Sequence, residues 1–153
     1  MQTTFKSPSL VGFGDIKPAP PITGWEAFLA EGDAYLKTGK GAHAKGRAVF
    51  TPEILYNIIA MAIEKLVMAT LMKRGALPYN HTMYDLVEAM DDVFPESLAD
   101  IREGLLNLDK YQEICDIDHY NIIPPDTTEI PGMLALAGQL QDVVYHQIGE
   151  VRS

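Results

Sequence analysis

The chain has 153 residues, 47% of them hydrophobic, and a formal net charge of -9. That length and apolar fraction suit one globular domain with a substantial core and exclude general disorder. The acidic balance repels phosphate and disfavours broad DNA or RNA binding, while the single cysteine, Cys115, excludes an internal disulfide framework and is read as a small core residue.

Residues 1–23 carry Pro8, Pro18, Pro20 and Pro21, which remove backbone donors and disfavour helix, so an extended N-terminal arm is expected. Phe5, Leu10, Val11 and Phe13 give that arm apolar side chains to pack on the body of its own chain or on a neighbour. No continuous apolar run follows a basic start here, so no export leader is expected.

A helical bundle domain is expected over residues 24–153. Trp25, Phe28, Leu29, Gly32 and Leu36 share one face at helical spacing, which predicts a first helix from Trp25 to Lys37. The stretch TGKGAHAKGR follows, in which Gly39, Gly41 and Gly46 are expected to break the helix. Lys37, Lys40, Lys45 and Arg47 make this predicted loop basic in an acidic chain, and Lys40, Lys45 and Arg47 are candidate anion ligands. The segment does not have the spacing of a phosphate loop, and no strand precedes it.

Thr51 and Pro52 open a second helix that continues to about Arg74. Leu55, Ile58, Ile59, Ala62, Leu66 and Ala69 form one stripe, and Ile54, Ile63, Val67, Met68 and Met72 widen it past half the circumference. A helix apolar on most sides is surrounded by others, so this is the central helix. Asn57, Glu64 and Lys65 interrupt the apolar run, which argues against a membrane span and for a cytoplasmic protein. Glu64 and Lys65 are expected to pair with neighbouring helices or a dimer partner, or to line a polar ligand pocket.

A third helix is predicted from His81 to Asp92, with Thr82 and Asp85 as a cap-like pair. A fourth is predicted from Glu96 to about Ile117, burying Leu98, Ile101, Leu105, Leu108 and Cys115. Pro124 and Pro125 exclude helix from the connector. A last helix begins near Ile130, with Met133, Leu136, Ala137, Leu140, Val143, Val144 and Ile148 on its stripe. No sustained alternation or hairpin turn predicts a strand. The expectation is an all-α, five-helix, up-and-down bundle.

The stretch from Tyr56 to Met90 resembles the core of HEPN domains, on Ala60, Glu64, Lys65, Ala69, Gly75, Pro78, His81, Met83 and Leu86. The resemblance implies an up-and-down bundle, usually a homodimer. It also implies a role among ribonuclease toxins of toxin–antitoxin or defence systems, partners of nucleotidyltransferases, or non-catalytic domains that bind nucleotides. A nucleotidyltransferase-type or antitoxin protein is the partner it implies.

The ribonucleases of that family place an Arg a few residues before a late His, often followed by Tyr. The cation binds phosphate and the imidazole handles the 2′-hydroxyl proton. Here His119 and Tyr120 stand in the late segment, but Lys110 lies nine positions before His119, and Asp116 and Asp118 occupy the places where positive charge is wanted. A literal match to the spacing stands elsewhere, Arg74 and His81 with six residues between them, but a cation at a helix end and an imidazole beside a turn explain both residues. Asp116 and His119 form one acid-x-x-His unit without a second, so no metal site is expected. No cofactor motif is present. The sequence is therefore read as an interaction or nucleotide- or small-ligand-binding module. The alternative is a metal-independent ribonuclease using Arg74, His81, His119 or Tyr120.

Overall fold

The computed structural model describes residues 19–46, 48–111 and 125–149. Among these residues there is no strand. They form five α-helices: α1 (Trp25–Lys45), α2 (Pro52–Lys73), α3 (Met83–Val93), α4 (Arg102–Asn107) and α5 (Ile130–Ile148). Arg47, Cys115, Asp116, Asp118, His119, Tyr120 and residues 1–18 of the expected arm lie outside the described residues.

α2 starts where the sequence places it. The Thr51 side chain accepts the Ile54 N–H at 3.2 Å, and Pro52 holds the first helical position. The helix is long and apolar enough to cross a membrane by length and composition alone, but 67% of its most apolar window is buried inside the bundle. That cover comes from α1, α3 and α5 of the same chain. Ile59, Ala62, Ile63, Leu66, Ala69 and Leu71 are almost completely enclosed, and only Ile54 among its large apolar side chains is exposed.

α1 and α2 pack antiparallel, with Gly32 against Leu66 and Gly39 against Ile58 and Ile59. A methyl group at Gly32 would lie 2.8 Å from Leu66 Cγ, so the two backbones approach as closely as they do only because position 32 lacks a side chain. α5 lies against both. Its Gln141 Nε2 donates to Asp33 Oδ1 at 2.7 Å, its Tyr145 hydroxyl donates to Asp33 Oδ2, and Lys73 Nζ donates to the Ile148 carbonyl at 2.6 Å.

Two boundaries differ from the sequence reading. α1 does not stop at Lys37; it runs through Gly39 and Gly41 to Lys45 and ends at Gly46, whose φ is 59°. Each interior glycine costs about 1 kcal/mol relative to alanine. Gly39 and Ala42 are nevertheless buried in α1, and that packing holds the helix together. The expected glycine-rich basic loop is thus mostly helix. Its backbone N–H groups are committed to helical bonds, and Lys40 and Lys45 project into solvent near a helix C-terminus, which favours cations.

The fourth helix starts later than expected, and its expected end near Ile117 lies outside the described residues. Glu96 takes a φ of 69°, a left-handed conformation rare outside glycine, and residues 94–101 form successive turns instead of helix. α4 begins only at Arg102 and tightens into a 3-10 turn over Leu108–Tyr111. Leu98, Ile101, Leu105 and Leu108 are buried as expected, but only Leu105 is delivered by α-helix; Leu98 and Ile101 come from turns and Leu108 from the 3-10 turn.

The chain's approach to α1 packs on the end of α2. The Ile22 N–H donates to the Met72 carbonyl at 2.8 Å. Gly75, with φ 74°, turns beneath Pro20, whose carbonyl oxygen would lie 2.7 Å from any Cβ at position 75.

Candidate functional site

The N-terminus of α3 is fixed from two sides. Thr82 Oγ1 accepts the Asp85 N–H at 3.1 Å and donates its hydroxyl proton to Asp85 Oδ2 at 2.9 Å. The Asp109 carboxylate accepts the Met83 N–H at 2.8 Å and the Tyr84 N–H at 3.0 Å. Two otherwise unpaired donors are satisfied, and an anion stands at the positive end of the helix dipole.

α3 therefore starts at Met83, not at His81 as its sequence suggests. His81 belongs to the turn, one residue before the cap. There its Nδ1 lies 3.3 Å from Glu64 Oε1 of α2. The Glu64 side chain is 24% exposed and that of His81 59% exposed.

Around this pair is a cleft of about 190 Å³ lined by Asn57, Ala60, Met61, Glu64, His81 and Met83. Asn57, Met61 and Glu64 recur at helical spacing along one side of α2. The apolar walls are Ala60, Met61 and Met83. The polar rim combines a carboxamide that donates and accepts, a carboxylate that accepts, and an imidazole. With Nδ1 turned to Glu64, the His81 Nε2 has no partner among the described residues.

The other sequence candidates fall elsewhere. Lys65, next to Glu64, turns to α1, with Nζ 2.9 Å from Glu31 Oε1 and 4.4 Å from the centre of the Phe28 ring. Glu64 and Lys65 thus pair with neighbours in the chain but do not share one pocket. Arg74 caps α2 and places its guanidinium 4.9 Å from the centre of the Phe94 ring. The Arg74 and His81 match is divided between two partners, Phe94 and Glu64. Lys110 lies over the ring of Tyr111 at 4.9 Å. Among the described residues no three His, Cys, Asp or Glu come together as a metal-binding group.

Sequence reasoning misses the convergence of Asn57, Glu64 and His81 on one cleft. The signal is present, because Asn57 and Glu64 stand seven apart on a mostly apolar helix and so share a face. It misses Asp109 altogether, since a cap contributed from 25 residues downstream leaves no local pattern.

No protein-family model, curated protein or solved structure matches this chain.

Proposed function

We propose that the chain is a HEPN-like ligand-binding module whose recognition site is the cleft between α2 and the turn before α3. The observation that carries this reading is the convergence of Asn57, Glu64 and His81 over Ala60, Met61 and Met83. Glu64 and His81 belong to the pattern on which the family resemblance rests, and here they face each other.

The cleft's chemistry selects among ligands. A carboxylate on its rim disfavours a phosphate inside it and favours a group rich in N–H donors. About 190 Å³ is room for one planar ring system, not for a whole nucleotide. A nucleobase fits both conditions, with its ring between Met61 and Met83 and its hydrogen-bonding edge toward Asn57 and Glu64. The sugar and any phosphate then lie outside, in solvent. The six lining residues all belong to one chain, and α1, α3 and α5 of that chain pack against α2.

The test is a titration of the full chain with guanosine and adenosine, read by backbone amide shifts. Saturable shifts confined to residues around 57–64 and 81–84 are expected, weakened about tenfold in Glu64→Gln, since hydrogen bonds to charged groups are worth about 1.5–3 kcal/mol. Absence of saturable shifts, or binding unchanged in Glu64→Gln, rejects the proposal.

A further inference from the structure

A second concavity, of about 610 Å³, lies between the turn 76–79 and the face of α3 that carries Asp85, Glu88 and Asp92. It shares no lining residue with the cleft at His81, so its role is independent of the nucleobase reading. One wall is apolar and open, with Tyr79 91% and Leu77 59% exposed. Tyr84, next to Asp85, is 55% exposed as well, so among the described residues three of the five large exposed apolar side chains fall within residues 77–84. Clustered exposure of this kind marks a contact surface, where scattered exposure would not.

The opposite wall is anionic. Among the described residues that line the groove there are three carboxylates and no Lys, Arg or His. Arg102 partly neutralises Glu88 at 3.3 Å, but its closer partner is Asp91 at 2.9 Å, outside the groove. Asp85 is held by the Thr82 hydroxyl, and Asp92 makes no ion pair with the described residues.

Helix stability accounts for Asp85, in the first turn beside the Thr82 cap, but not for Asp92. Asp91 and Asp92 stand in the last turn of α3, which has no basic residue, at the negative end of the helix dipole. Asp92 therefore weakens the helix that carries it, and its effect is to add negative field to the groove. The carboxylates do not form a metal-binding group. From Asp85 to Asp92 the helix rises about 10 Å, so the negative charge is spread over two turns.

We propose that this groove docks a basic amphipathic segment of a partner protein. The segment inserts a large apolar side chain between Leu77 and Ala89 and sets Lys or Arg residues, about 10 Å apart, against Asp85 and Asp92. Apolar burial supplies the affinity, and the carboxylates supply orientation and rate of encounter.

The experiment uses the full chain and a fluorescein-labelled synthetic peptide with one leucine face and one lysine face, read by fluorescence anisotropy. Saturable binding is expected, weakened about tenfold by Asp92→Lys or by Leu77→Ser, as for loss of a central contact. Asp92→Lys should at the same time raise the melting temperature, because it puts a cation at the helix C-terminus. A peptide with glutamate in place of lysine should not bind. Glu26→Lys, the same charge change on the exposed first turn of α1, should leave binding unchanged. Equal weakening by Glu26→Lys would reduce the effect to overall charge and overturn the proposal. So would unchanged binding in both groove variants. A light-scattering mass of twice the monomer, halved by Leu77→Ser, would make a second copy the occupant and overturn it too.

Discussion

Glu64 Oε1 stands 3.3 Å from His81 Nδ1, joining the central helix of the bundle to the turn that leads into α3. The pair is partly open to solvent, and partly exposed ion pairs contribute little to stability. Its value lies in its place. Carboxylate and imidazole stand side by side on the rim of the cleft.

His81→Ala should therefore leave the unfolding free energy within about 1 kcal/mol of the parent. The same variant should lose most of the nucleoside-induced shifts. Urea titration together with the amide-shift titration checks both halves of the prediction.

Asp109→Ala should cost about 1–2 kcal/mol, because it removes the acceptor of two N–H groups and the anion at the start of α3. The loss should be visible in urea unfolding. Nucleoside binding should weaken as well, since His81 and Met83 are positioned by that cap.

Glycines 32 and 41 give a contrast within one helix. Gly32→Ala gains helix propensity but drives a methyl group to 2.8 Å from Leu66 Cγ, and overpacking of this kind costs about 1–3 kcal/mol. At Gly41 a Cβ meets nothing within 4 Å, so Gly41→Ala should stabilise by up to about 1 kcal/mol. Thermal melts of the two variants should move in opposite directions.

Leu66→Asp should unfold the chain. Leu66 is 0% exposed, and an unpaired buried carboxylate costs several kcal/mol, about the whole stability of a small domain. A far-ultraviolet spectrum that keeps its helical signal in this variant would contradict the placement of α2.

α2 is legible in the sequence from end to end, because Thr51 and Pro52 mark its start and its apolar residues surround it. The end of α1 is not, because Gly39 reads as a breaker until Ile58 and Leu134 are seen packed against it. The fourth helix starts too early in the sequence reading because its apolar spacing is helical, while Glu96 adopts a backbone that no propensity predicts. Glu64 and His81 are each visible as polar residues of interest, but with different neighbours: Glu64 beside Lys65, and His81 after Arg74. Only the fold brings Glu64 and His81 together, and it sends Lys65 to Glu31 and Arg74 to Phe94.

The most direct measurement is a crystal structure of the full chain soaked with guanosine. Density for the base is expected between Met61 and Met83, with its N–H edge within hydrogen-bond distance of Glu64 and its neighbour Asn57. Density at Lys40 and Lys45 on the end of α1, or an empty cleft at a concentration that saturates binding in solution, would contradict the assignment of this cleft as the recognition site.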